Sequence, residues 1–173
     1  MRGPHAYRLR VLCAEDGQTN QIIIRTLLEN MGHEVEIVED GLEAVHALRS
    51  RDFDMVLMDG RMPRMDGEEA ARAIRGSCGN GSMPPVRNPR IPIIALTANA
   101  ASEDRDRYLA AGMDGFLSKP VDEDVLYDEI DKVIAGLRKN GAVLPTMAPA
   151  VRVARASAPA GRDRGSSRGR APL

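Results

Sequence analysis

Four polar groups stand at the ends of apolar runs in this chain, and their types together suit phosphoryl transfer. Asp59 closes Met55-Val56-Leu57-Met58 and precedes the turn-forming stretch Gly60-Arg61-Met62-Pro63-Arg64-Met65-Asp66-Gly67. Glu15-Asp16 follow the run from Leu9 to Ala14, Thr97 follows Ile91 to Leu96, and Lys119-Pro120 follow Gly115 to Ser118. A carboxylate at the end of a buried strand is badly placed for packing and well placed for chemistry. If the strands lie parallel, the four ends converge on one crevice. Three carboxylates brought together there repel one another, and burying them unpaired is costly. A hard divalent cation removes that penalty, and Mg²⁺ suits a few carboxylates, waters and a phosphate. Lys119 and Thr97 then offer a cation and a hydrogen-bond donor to an anion facing Asp59. The expected chemistry is phosphoryl transfer with an aspartate as nucleophile.

The elements that must position these groups are legible as alternating patterns. Arg8 to Ala14, Glu34 to Val38, Asp54 to Met58, Ile91 to Leu96 and Asp114 to Ser118 read as strands, with Glu34 to Val38 at an edge. Helices are expected over Thr19 to Met31, from the Asp40 cap through Leu48, over Gly67 to Arg75, over Ser102 to Ala111, and from the Asp122 cap to about Lys139. In the first helix, Ile22, Ile23, Thr26, Leu27 and Met31 recur at helical spacing and form the expected buried face. Glu15-Asp16, Thr19 or Asn20 could cap it. Strict strand–helix alternation with continuous apolar strands predicts an α/β fold, a doubly wound parallel sheet covered on both faces. Its ligand crevice lies outside the carboxyl ends of the strands. Residues 76–90, rich in Gly and Pro, read as a loop of more than ordinary length.

Glu15-Asp16, Asp59 with Met62-Pro63-x-Met65-Asp66-Gly67, Thr97-Ala98, and Phe116-x-x-Lys119-Pro120 occur in order over about residues 8–136. This ordered set resembles the receiver domain of two-component response regulators. Thr97-Ala98-Asn99-Ala100 and the stretch from Ala111 to Pro120 are most similar to receivers of hybrid sensor histidine kinases. The resemblance implies a five-stranded flavodoxin-like sheet of order 2-1-3-4-5. It implies that Asp59 accepts a phosphoryl group from a phosphohistidine. Asp16, Asp59 and the backbone carbonyl of Arg61 would hold Mg²⁺, with Glu15 assisting through water. Thr97 and Lys119 would each meet a phosphoryl oxygen, and a cis Lys119–Pro120 bond is expected. Thr97 and Phe116 would be the switch pair, and the fourth helix, fifth strand and fifth helix the output surface. Arg61 and Asn99, two residues beyond Asp59 and Thr97, occupy positions that modulate access of the hydrolytic water in the family. Gly60 is small where the family often carries a larger residue, and no role is assigned to it.

Plainer readings exist for each residue. Asp59 could form a turn, Glu15-Asp16 or Thr97 could cap helices, Lys119 could be a solvated surface lysine, and Phe116 a core aromatic. The methionines at 55, 58, 62 and 65 read as packing, and His46 as a helix-surface residue. His5 and His33 show neither metal spacing nor an acid–base partner in the sequence. A hydrolase with an aspartyl-phosphate intermediate would need a second Asp two residues after the nucleophile, where Arg61 stands.

Bulk composition bounds the rest. With 173 residues and a formal net charge of −1, the chain is long enough for one ordinary core. Charge is uneven: residues 1–139 hold 18 Lys and Arg against 24 Asp and Glu, and residues 140–173 hold six Arg against one Asp. Residues 8–139 read as the receiver domain and 140–173 as a disordered tail rich in Ala, Pro and Arg. Its charges are sparse and no aromatics interleave, so a nucleic-acid partner is not expected. Two cysteines, Cys13 and Cys78, suit a reducing compartment. With neither signal peptide nor apolar span in view, a cytoplasmic location is expected. The sequence after residue 139 is too short for an output domain. Action is therefore expected through partners: a sensor histidine kinase or histidine phosphotransfer protein upstream and another protein downstream. No enzymatic activity is expected beyond phosphoryl transfer to Asp59 and slow autodephosphorylation. The competing reading is a scaffold that binds partners without being phosphorylated.

Overall fold

A computed structural model describes residues 3–76, 85–99, 102–142 and 144. The elements alternate from first to last: β1 Arg10–Ala14, α1 Gln18–Asn30, β2 Glu34–Val38, α2 Gly41–Ser50, β3 Met55–Asp59, α3 Gly67–Arg75, β4 Ile93–Thr97, α4 Ser102–Ala110, β5 Gly115–Ser118 and α5 Glu123–Lys139. All strand pairs are parallel, and the sheet order is β2-β1-β3-β4-β5. The doubly wound sheet, its order and the edge position of β2 are as the sequence predicts. Most of the 76–90 loop and of the expected tail lies outside the described residues. Leu144, near the start of that tail, is nonetheless buried against the layer of α1 and α5, because the chain turns back after Asn140 with the Ala142 amide donating to the Leu137 carbonyl.

Alternation within the apolar strands sorts side chains between two layers. Leu12, Ala14, Val56, Met58, Ile93 and Ala95 pack with α2, α3 and Tyr108 of α4. Val11, Cys13, Met55, Leu57, Ile94 and Leu96 pack with Ile24 and Leu28 of α1 and with α5. A strand that is apolar throughout is therefore feeding two cores at once, which is why it carries no period-two signal. Asp40, Asp66 and Asp122 each accept a backbone N–H from the first turn of α2, α3 and α5.

Two expectations need correction. The buried face of α1 is Ile24 and Leu28, continued by Met31 after the helix, whereas Ile22 is 67% and Ile23 37% exposed and Thr26 is exposed. Three consecutive isoleucines let several helical stripes look equally apolar, and packing into the shared layer with Val11, Cys13 and Leu57 chooses the one through Ile24. The helix also begins earlier, at Gln18 after Gly17, without a side-chain cap.

His5 and His33 are likewise not solitary. Both are buried at the end of the sheet opposite the strand carboxyl ends. The Leu9 amide donates to His33 Nδ1 at 3.0 Å, so that nitrogen carries a lone pair and the proton sits on Nε2. His33 Nε2 lies 3.0 Å from His5 Nδ1, and His5 Nε2 lies 3.2 Å from both the Tyr127 carbonyl and Asp131 Oδ1. The His5 ring stacks on Tyr127 at 3.8 Å. Each hydrogen points one way along this chain, and burial with the neighbouring His5 and Arg8 pushes His33 down to about 4.

Candidate phosphoryl-acceptor site

The carboxyl ends of β1, β3, β4 and β5 open on a cleft of about 540 Å³ lined by Asp16, Asp59, Arg61, Thr97, Asn99 and Lys119. Asp59 is the last residue of β3, 4% exposed, and is held in the sheet by register with Leu96. Its Oδ1 accepts the Arg61 amide at 3.2 Å, and its Oδ2 lies 3.2 Å from Lys119 Nζ. Glu15, following β1, is buried; Oε1 accepts the Gly17 amide at 2.9 Å and Oε2 lies 3.4 Å from the same Lys119 nitrogen. One ammonium thus bridges two buried acids. Asp16 stands exposed at the lip.

One oxygen from each of Glu15, Asp16 and Asp59 falls within 4.8 Å of the others, a spacing that fits a divalent cation. Crowding shows in the proton affinity of Asp59. Burial pushes its carboxyl up to about 6 and Glu15 adds to this, while the Arg61 amide and Lys119 pull it back. At neutral pH it remains mostly a carboxylate. Burial opposes the charge on Lys119, but Asp59 and Glu15 outweigh it and hold its pKa above the usual value.

Thr97 ends β4, and its hydroxyl is engaged within its own loop. It donates to the Asn99 carbonyl at 2.8 Å and accepts the Asn99 amide at 3.1 Å. Phe116 on β5 is half-buried, with the Arg105 guanidinium carbon 5.3 Å from its ring centre and the Tyr108 ring 6.1 Å away. The Lys119–Pro120 bond is cis, as expected. Arg61 and Asn99 expose their side chains at the cleft. The structure therefore brings Glu15, Asp16, Asp59, Arg61, Thr97, Asn99 and Lys119 together, with Phe116 beside them.

A four-residue constellation, each group delivered by a different strand end of a 2-1-3-4-5 sheet, is what decides kinship. The family model described as the response regulator receiver domain matches residues 11–131. This chain belongs to the response regulator receiver domain family. A probable histidine kinase from Oryza sativa subsp. indica is 37% identical over 141 residues, covering 68% of this chain and 15% of that protein. The sensor protein GacS from Pseudomonas syringae pv. syringae is 45% identical over 115 residues, covering 66% of this chain and 12% of GacS. The receiver thus spans less than a sixth of either kinase. Among solved structures, the receiver domain of a Pseudomonas aeruginosa sensor histidine kinase aligns with a TM-score of 0.64 at 38% identity, covering 73% of this chain and 98% of that one. It holds a magnesium ion in its active site cleft. A Saccharomyces cerevisiae receiver domain, co-crystallised with a histidine phosphotransfer signalling protein, aligns at 0.65 and 28% identity over 78% of this chain and 93% of that one. This chain is accordingly a signalling module of two-component phosphorelays. Among the described residues, no helix is long and apolar enough to cross a membrane.

Sequence reasoning missed the wall that α4 builds on this cleft. Asp104, Arg107 and Tyr108 line it, together with Glu68 of α3. Arg107 grips Glu68 through Nε at 3.0 Å and Nη2 at 3.1 Å. The spacing of 104, 107 and 108 marks one helical face. Which loop that face meets depends on the sheet order.

Proposed function

We propose that Asp59 takes a phosphoryl group from a phosphohistidine of a sensor kinase or histidine phosphotransfer protein, and that the change at Asp59 alters a partner-binding surface. The observation that carries this reading is the Asp59 carboxylate aimed into the cleft with the Lys119 ammonium 3.2 Å away. One Asp59 oxygen forms the new P–O bond as the donor P–N bond breaks, and the departing imidazole nitrogen takes a proton from solvent. Lys119 balances charge on the incoming phosphoryl oxygens. Thr97 supplies a hydroxyl to another oxygen once it leaves Asn99. Asp16, Asp59 and the Arg61 carbonyl are the groups to hold Mg²⁺, with Glu15 behind them, and the ion neutralises phosphoryl charge when bound. The chain's own chemistry extends to slow autodephosphorylation, with Arg61 and Asn99 bordering the path of water. Residues 8–139 carry the function, and the setting is cytoplasmic.

The test is incubation with a small phosphodonor such as phosphoramidate and Mg²⁺, followed by phosphate-affinity electrophoresis. Wild type acquires an acid-labile phosphate and Asp59→Asn acquires none. A wild-type chain that stays unmodified favours the phosphorylation-independent scaffold.

A further inference from the structure

Gly60, the residue after the phosphoacceptor, has no side chain because α4 occupies the space. A Cβ built on Gly60 would overlap the Tyr108 hydroxyl and lie 2.9 Å from the ring carbon that bears it. On the other side of the same peptide, a Cβ on Gly67 would collide with the Asp59 carbonyl, lying 3.1 Å from its carbon. The Asp59–Gly60 peptide is therefore pressed between the first residue of α3 and a tyrosine of α4, and two glycines make that approach possible. Its hydrogen bonds complete the grip: the Gly60 amide donates to the Leu96 carbonyl at 3.1 Å, and the Gly67 amide donates to the Gly60 carbonyl at 3.2 Å. Tyr108 is 8% exposed, belongs to the core layer beneath α4, and still reaches the cleft. The neighbouring Arg107–Glu68 pair ties α4 to α3 as well, but Arg107 is 62% exposed and such pairs hold weakly.

We propose that Tyr108 is a positioning residue for phosphoryl acceptance: its contact with Gly60 fixes the peptide that carries Asp59, and so links the seat of α4 directly to the reacting carboxylate. The link reaches Asp59 through the backbone after it, whereas Thr97 faces the cleft from β4; Tyr108 also meets the Phe116 ring at 6.1 Å. It rests on Asp59 being the phosphoacceptor. A nucleophile loosened by a fraction of an ångström loses rate steeply, because alignment of the attacking oxygen is what the fold supplies.

A size-swap cycle tests this, with phosphorylation of the full chain by phosphoramidate and Mg²⁺ followed at saturating and limiting donor. Gly60→Ala drives Tyr108 off the peptide and slows the maximal rate by about tenfold, with the half-saturating donor concentration little changed. Tyr108→Leu leaves the peptide unsupported and slows it similarly. Combining them lets the alanine methyl fill the vacated space, and the rate returns most of the way to wild type. Melting by circular dichroism on every variant confirms that rates are read on folded protein. Slowing of each single variant with recovery in the double supports the proposal. Multiplying effects, or single variants that run at the wild-type rate, overturn it. Should Gly60→Ala not fold, Tyr108→Leu decides: a rate about tenfold lower supports the assignment, and a wild-type rate overturns it. A wild-type chain that takes no phosphate at all refutes the Asp59 reading instead, so the two failures are distinct.

Discussion

Acidification should weaken this receiver through a site far from its chemistry, the His33–His5 chain. His33 cannot gain a proton on Nδ1 without setting it against the Leu9 amide, and its Nε2 proton is already directed at His5. Arg8 adds repulsion, while Asp131 and the Tyr127 carbonyl serve His5 and not His33. The His33 pKa is depressed in the folded chain, from 6.5 to about 4. The unfolded chain therefore binds the proton first, and stability present above pH 6.5 drains away as pH falls towards 4. A shift of that size corresponds to about 3 kcal/mol in full, and to about 2 kcal/mol between pH 7 and 4.5. This is a large fraction of a domain's ordinary 5–15 kcal/mol, roughly. His33→Leu removes the titration and takes from the buried Leu9 amide its acceptor, which costs about 1–3 kcal/mol at any pH. The variant should thus be the weaker protein at pH 7 and draw level with wild type near pH 5. Urea unfolding followed by far-ultraviolet circular dichroism reads this, since the chain has no Trp. Carboxylates titrate in both proteins and cancel in the difference. A gap that stays constant from pH 7 to 4.5 would refute the reasoning.

Arg61 shields the acyl phosphate if its exposed side chain folds over the cleft, so Arg61→Ala should shorten the phosphorylated lifetime about fivefold, the effect of about 1 kcal/mol on a barrier. Decay of the phosphate signal at the wild-type rate would sink that role. Arg64 stands at φ 64° and pairs with the buried Asp40 cap, with Nε at 2.7 Å from Oδ2. Burial raises the Asp40 pKa, but the Glu43 amide and Arg64 outweigh it and leave it below the ordinary value. Arg64→Ala should cost about 1–2 kcal/mol in urea unfolding, and Arg64→Gly less by about 0.5–1 kcal/mol because the left-handed backbone is relieved. Equal losses would show that backbone strain plays no part. Gly67→Ala forces a methyl against the Asp59 carbonyl and should cost about 1–3 kcal/mol while slowing phosphorylation. A folded variant with a wild-type rate would contradict the tight seat described for that peptide.

Much of this was legible before the structure, for identifiable reasons. Asp59, Thr97 and Lys119 stand out because each interrupts an apolar run where chemistry, and not packing, explains it. Asp40 and Asp122 are local signals, each resolved within three residues of its helix. What escaped was non-local or degenerate. Ile22-Ile23-Ile24 offers several stripes, and only packing against the sheet selects one. His5 and His33 are separated by 28 residues and meet because β1 and β2 are neighbours. Gly60 reads as a turn residue until α4 is seen above it.

Thr97 is already spoken for before any phosphate arrives, holding Asn99 by two hydrogen bonds. To donate to a phosphoryl oxygen it must give up the bond to the Asn99 carbonyl, a net penalty of about 0.5–1.5 kcal/mol. Between roughly one chain in three and one in 13 would then sit in the released state with no signal present. The loop after β4 thereby sets a noise floor for the pathway. That floor is written in backbone atoms of Asn99, so replacing the Asn99 side chain leaves it in place.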